Sequence, residues 1–138
     1  MPEESEEPLA EAFRAVSRQL RHVLQNTLAP WDVTPAQARA LGVLVRHGPM
    51  RVGALSEHLR IAPRSATEVV DALEETGLVE RRPDPEDRRA TLVAPTGRGE
   101  EVAAAIRAAR AAEAEGFFAR LDEADRASLA RILRTLRS

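Results

Sequence analysis

The chain has 138 residues, 43% of them apolar and 30% charged, with a formal net charge of −2. That suits one ordinary domain with a real core, and the absence of cysteine excludes disulfides, thiol nucleophiles and thiolate metal sites. No apolar run approaches the roughly 18 residues of a membrane span, and the acidic N-terminus lacks signal-peptide form, so a soluble cytoplasmic protein is expected, with no membrane partner.

All 20 cationic residues are Arg, each a planar fork suited to phosphate and guanine. The apolar set contains 25 Ala, and its aromatics are only Phe13, Phe117, Phe118 and Trp31, so much burial runs through small side chains. Charge is uneven along the chain. Residues 1–12 hold five acids and no base, residues 13–98 hold 13 Arg against 10 acids, and residues 99–138 hold seven of each. The middle is mildly basic and its flanks are not.

Residues 1–8 read as a flexible acidic leader. A helix is predicted over 9–28, where Leu9, Phe13, Val16, Leu20, Val23 and Thr27 alternate at spacings of four and three. That seam suits a helical partner. Pro30 ends it. Thr34-Pro35-Ala36-Gln37 is a start signal, with Thr34 as cap, Pro35 at the first helical position and Gln37 closing a capping box. This second helix runs through Leu41, Leu44 and Val45 to Gly48-Pro49.

A short helix over 52–59 turns Val52, Leu55 and Leu59 inward, and Ile61 lies in a tight connection. Pro63 opens another helix, 63–76, with Ala66, Val69, Val70 and Leu73 on its apolar face and Gly77 as a left-handed stop. Two short helices joined by a tight turn form the helix-turn-helix pattern, which small helical bundles share. A hairpin follows: strand 78–82, the turn Pro83-Asp84-Pro85-Glu86-Asp87, then strand 90–95. A hairpin directly after a helix-turn-helix is a wing. Arg81, Arg82, Arg88 and Arg89 lie in or beside it, aimed either at phosphates and the minor groove or at the hairpin's own acids.

A long Ala-rich helix over 97–120 carries Val102, Ile106 and Ala109. Asp122, with Asp125 three residues on, caps a last helix whose Leu129, Ile132, Leu133 and Leu136 are expected to face inward. His22, His47 and His58 are not spaced as metal ligands. His47 is best placed to complement a helix dipole. No metal or cofactor is expected.

The assembled order resembles the MarR family of winged helix-turn-helix transcriptional regulators over about residues 9–137. The resemblance rests on Thr34-Pro35-Ala36-Gln37, on the run from Val70 through Leu78-Val79-Glu80-Arg81, and on Asp87-Arg88-Arg89 with Thr96 and Gly99 downstream. It implies a mainly α fold with a small β-hairpin wing. Residues 31–96 would form the DNA-binding domain, and 9–30 with 97–138 a helical dimerisation region. The implied function is a homodimer that reads a pseudo-palindromic operator in double-stranded DNA, with half-sites about one turn, roughly 10 bp, apart. A repressor released by a small organic ligand is the expected form.

Carried onto this chain, the DNA contacts fall on Arg64, Ser65, Thr67 and Glu68 of the second motif helix and on Arg88 and Arg89 of the wing. Arg64 is the candidate for a bidentate guanine contact. Asp87 matches an acid that steadies the wing tip by pairing with a nearby Arg. Arg39, Arg51 and Arg60 could add phosphate contacts, but each reads first as solvated surface. The ligand wall would come from Trp31 and the helices 9–28 and 97–120, with Arg14, Arg18 or His22 to hold a carboxylate. Trp31 also reads as simple packing over the helix junction.

Three departures from the family pattern stand out. Ala62 replaces a capping Ser or Thr, at a cost of about 1 kcal/mol. Pro95 replaces a Leu and puts the end of the second strand in question. Glu68, with Asp71, Glu74 and Glu75, makes the reading helix acidic. That acidity favours an alternative, a winged-helix interaction protein that acts through a protein partner without binding DNA. An enzyme is not expected, since there is no nucleophile elbow, phosphate loop or carboxylate–His set.

Overall fold

The computed structural model describes residues 6–138. Of the acidic leader, residues 1–5 lie outside the described residues, and Glu6, Glu7 and Pro8 are exposed without regular structure. The chain divides into two compact units, one spanning Leu28–Ala108 and the other joining the residues up to Thr27 with Ala109–Ser138. The division falls inside the long C-terminal helix, between Ala108 and Ala109.

In the Leu28–Ala108 unit, helix α2 (Pro35–His47) starts on a complete capping box. The Thr34 hydroxyl accepts the Gln37 backbone N–H at 3.1 Å, and the Gln37 side chain accepts that of Thr34 at 3.2 Å. Helix α3 (Val52–Leu59) ends on Arg60, which adopts a left-handed φ of 55°. Helix α4 (Pro63–Glu75) ends at Gly77, whose φ of 77° turns the chain so that the Leu78 N–H reaches the Leu73 carbonyl at 2.9 Å. Leu41, Leu44, Leu55, Val70, Leu73, Val79 and Val93 are fully buried, and Leu59, Leu78 and Ile106 are among the residues packed with them in the core.

Strands β1 (Val79–Pro83) and β2 (Thr91–Pro95) pair antiparallel, with Val79 opposite Pro95 and Pro83 opposite Thr91. The first strand begins one residue later than expected, because Leu78 is held by the helix stop. Pro95 does not disturb β2. It is the last paired residue, where a missing N–H is tolerated. Met50 adds a bridge that sequence reading did not find. It exchanges two backbone hydrogen bonds with Val93, at 3.1 and 2.8 Å, and ties the wing to the segment ahead of α3.

Helix α5 (Gly97–Phe118) starts on Thr96. Its hydroxyl donates to the Gly77 carbonyl at 2.7 Å and accepts the Gly99 N–H at 3.0 Å. Gly99 is buried with no room for a side chain. An added Cβ would collide with the Leu78 carbonyl and lie 3.3 Å from the Leu41 Cδ1.

In the other unit, helix α1 (Leu9–Asn26) is shorter than expected, since Pro30 draws Ala29–Trp31 into a separate single turn of 3-10 helix. Helix α6 (Glu123–Arg137) starts on Asp122, whose carboxylate accepts the Asp125 N–H at 2.7 Å. The inward reading of α6 is corrected here. No residue of α6 is buried, Leu129 and Leu133 are half-buried, and Ile132 and Leu136 are 45% and 70% exposed. Nor is any residue of α1 buried, and Leu9, Phe13 and Val16 are exposed. An amphipathic pattern states which face is apolar, not what covers it, and among the described residues Leu9, Phe13, Val16, Ile132 and Leu136 are left exposed. Among the described residues no helix is long and apolar enough to cross a membrane.

Candidate nucleic-acid interface

The apolar positions Ala66, Val70 and Leu73 hold α4 to the core and turn Arg64, Ser65, Thr67 and Glu68 to solvent. Pro63 presets the first turn, Ala62 supplies no side-chain cap, and the first turn carries no acid. The free N–H groups and positive dipole end of α4 therefore lie beside Arg64. Arg64 makes no ion pair among the described residues. The Thr67 hydroxyl donates to the Pro63 carbonyl at 3.0 Å, so its proton is already committed within the helix.

The acidic half of α4 is not left to solvent alone. The Arg81 guanidinium on β1 donates to Asp71 at 2.6 Å and to Glu74 at 2.8 Å, and the Arg81 backbone N–H meets Glu74 at 3.2 Å. The hydrogen bond it donates to Asp71 is the main cause that raises the Arg81 pKa above its ordinary value. Glu68 and Glu75 form no ion pair among the described residues.

At the wing, Asp84 is 8% exposed. One of its carboxylate oxygens accepts two N–H bonds from Arg51, at 3.2 and 2.9 Å, and the other accepts the Glu86 backbone N–H at 2.9 Å. The Glu86 N–H and then the Arg51 guanidinium hold its carboxyl below the usual carboxylate range. Asp87 accepts the Arg89 backbone N–H at 3.1 Å and lies 3.7 Å from its guanidinium. The Arg89 side chain is nonetheless 96% exposed, and Arg88 is exposed as well. Arg82 lies 3.5 Å from Glu80.

Two residues read as solvated surface prove to be ties. Arg51 clamps Asp84, and Arg39 donates to the Leu59 carbonyl at 2.7 Å, closing the end of α3. Arg60 is exposed without an ion pair among the described residues. The Asp84 anchor was missed because Asp between two prolines signals only a turn. The Arg81 clamp was missed although Asp71, Glu74 and Arg81 flank one chain reversal at Gly77.

Of the expected ligand residues, Trp31 belongs to the Leu28–Ala108 unit and Arg14, Arg18 and His22 to the other. Trp31 lines a cavity of about 340 Å³ with Pro30, Asp32, Thr76, Leu78, Arg98 and Val102. Arg14, Arg18 and His22 are exposed on α1. A cavity of about 360 Å³ in that helix's own unit is lined by Gln19, Val23, Glu113, Gly116, Phe117 and Arg120, and by none of the three. His47 stacks on His58 with ring centroids 4.7 Å apart.

Comparison with known proteins agrees with this architecture. A family model described as the MarR family matches residues 31–90. An uncharacterised HTH-type transcriptional regulator of Mycobacterium leprae is 37% identical over 113 residues, 82% of this chain and 74% of the relative. The HTH-type transcriptional repressor MdtR of Bacillus subtilis is 27% identical over 89 residues, 64% of this chain and 57% of that protein. Among solved structures, RV1404 of Mycobacterium tuberculosis is 31% identical with a TM-score of 0.84, over 97% of this chain and 92% of that one.

Proposed function

This chain belongs to the MarR family of helix-turn-helix transcriptional regulators and is a DNA-binding regulator rather than an enzyme; from that premise we propose a cytoplasmic homodimeric repressor that reads a pseudo-palindromic operator and releases it on binding a small organic ligand. The observation that carries the reading is the exposed start of α4. There Arg64 and Ser65 stand at the positive end of a helix with no acid in its first turn. Arg88 and Arg89 are exposed on the wing of the same unit.

On this reading Arg64 takes a guanine edge and Ser65 a phosphate or base edge. Thr67 has only its lone pairs to offer, and Glu68 can accept from cytosine N4. Arg88 and Arg89 approach the backbone or minor groove, and Asp87 steadies the tip they stand on. The uncovered apolar residues of α1 and α6 support a dimer. Repression is supported by the relative named a repressor. Ligand release is supported by the cavity beside Trp31, where Arg98 supplies a cation and Thr76 follows the last turn of α4. In this reading Arg14, Arg18 and His22 are second candidates for a ligand carboxylate.

The alternative of a protein-binding module rested on the acids of α4. Two of them are already paired with Arg81, which weakens it.

Fluorescence anisotropy with the DNA upstream of the protein's own gene, across a salt series, tests the proposal. Saturable binding that weakens steeply with salt is expected. Arg64→Ala should lose discrimination against scrambled duplex, while Arg89→Ala should weaken both duplexes alike. Unchanged specificity in Arg64→Ala would remove α4 as the reading element.

A further inference from the structure

Helix α4 carries one cation, Arg64, and four carboxylates: Glu68, Asp71, Glu74 and Glu75. Its two halves differ in electrostatic character. The N-terminal half offers free N–H groups, the positive dipole end and Arg64. The C-terminal half adds Asp71, Glu74 and Glu75 to the negative dipole end. A polyanion brought alongside meets attraction at one end and repulsion at the other.

Arg81 stands against that repulsion. It is the only residue that bridges two acids of α4 among the described residues, and it does so from β1 at 2.6 and 2.8 Å. A third bond, from its backbone N–H to Glu74, ties the strand itself to the helix. The side chain is 28% exposed, while Asp71 and Glu74 remain 61% and 43% exposed. Exposed pairs of this kind add little to folding stability. Their field on a nearby phosphate chain is another matter, because every uncompensated carboxylate there opposes counterion release.

We propose that Arg81 is a charge-compensating residue for DNA binding: by pairing with Asp71 and Glu74 it makes an acidic reading helix usable on a phosphate backbone. The inference rests on α4 being the reading helix. A contact between Arg81 and DNA is not required. Without Arg81 the helix meets DNA with four unopposed carboxylates rather than two. Arg81 offsets one of their two charges, so Asp71 and Glu74 weigh against binding more heavily when it is gone, and that dependence separates compensation from simple support of the wing.

The test uses the full chain, with Arg81→Gln to remove the charge while leaving a polar side chain that can still donate hydrogen bonds. Binding to the upstream duplex and to a scrambled duplex is read by anisotropy at several salt concentrations, with thermal melts as a check on folding. Arg81→Gln should weaken binding to both duplexes by roughly tenfold at low salt. Adding Asp71→Asn and Glu74→Gln to it should restore binding to the level of the unaltered protein or above. A structural role alone would give no such rescue.

Equal binding by Arg81→Gln overturns the inference, and so does a triple variant that stays weak. If Arg81→Gln fails to fold, Asp71→Asn with Glu74→Gln in the native background decides instead. It should bind both duplexes about threefold tighter or more, and unchanged binding overturns the proposal. Arg64→Ala, run in parallel, separates this from the reading beneath it. If Arg64→Ala has no effect, α4 is not the reading helix and both fall. If Arg64→Ala weakens binding and Arg81→Gln does not, only the charge argument fails.

Discussion

Replacing Gly99 with Ala tests the joint between the wing and α5. The added Cβ would meet the Leu78 carbonyl, a backbone group, and the Leu41 Cδ1 at 3.3 Å. A side chain could swing aside, but the Leu78 carbonyl cannot do so freely. It accepts the Thr96 N–H at 3.0 Å, and Thr96 in turn bonds Gly77 and Gly99. Relief of the clash must therefore shift α5 or break a hydrogen bond. Overpacking of this kind costs about 1–3 kcal/mol, and one lost backbone bond adds about 1 kcal/mol. The sum, about 2–4 kcal/mol, lowers the melting temperature of a chain this size by roughly 6–15 °C. Gly97 gives the control, since it opens the same helix and an added Cβ meets nothing within 4 Å. Differential scanning calorimetry at one fixed protein concentration, so that subunit association does not confuse the comparison, should show Gly97→Ala close to the native protein and Gly99→Ala far below it. Equal melting of the two variants would refute the packing argument.

Other substitutions probe the remaining joints. Because the Glu86 N–H and Arg51 depress the Asp84 pKa, its charge stabilises the fold fully above the ordinary carboxylate range, and that stabilisation is lost as pH falls through the folded value. Asp84→Asn should thus melt lower than the native protein at pH 7, with the gap closing as the pH is taken below the ordinary carboxylate range; a constant gap would exclude the charge. Ala62 has the extended backbone of an N-cap but no capping side chain, so Ala62→Ser should raise stability by about 1 kcal/mol in denaturant titration. Phe13 is 57% exposed on a helix with no buried residue; Phe13→Asp should move the protein toward monomer in sedimentation velocity, and an unchanged profile would place the dimer seam elsewhere. If Arg88 and Arg89 of two copies supply the phosphate-neutralising charge, the slope of log K against log salt should be about −4, and a slope twice as steep would mean that other Arg residues contribute.

What was legible in the sequence was local. The Thr34–Gln37 box, the Asp122–Asp125 cap and the Gly77 stop each lie within one turn of chain, and each formed as the residue types dictate. Thr96 and Gly99 were visible only as a spacing. The structure supplies the reason, a hydroxyl bridging two backbone groups and a helix packed too closely for a Cβ. Ties across distance were not legible. Arg51 and Asp84 are 33 positions apart, Arg39 and Leu59 are 20 apart, and no periodicity connects either pair. Ile132 and Leu136 were misread for a related reason. Helical spacing identifies an apolar face, but its cover lies outside the pattern.

The same distinction governs the charge. Counted along the chain, residues 13–98 hold 13 Arg and look mildly basic. In the folded unit Arg39 serves a carbonyl, Arg51 a buried carboxylate and Arg81 two carboxylates of α4. None of these three is available as a free cation. Arg64 and Arg88 keep their charge unpaired, and Arg89 keeps its side chain in solvent. The net charge of −2 is therefore a poor guide to what a phosphate chain would meet. The relevant quantity is the cation left over once internal ties are made, set against the acids those ties have silenced. By that measure the wing tip and the first turn of α4 both keep cations for a phosphate chain, and of the acids of α4 Asp71 and Glu74 weigh against DNA binding most heavily where Arg81 fails to hold them.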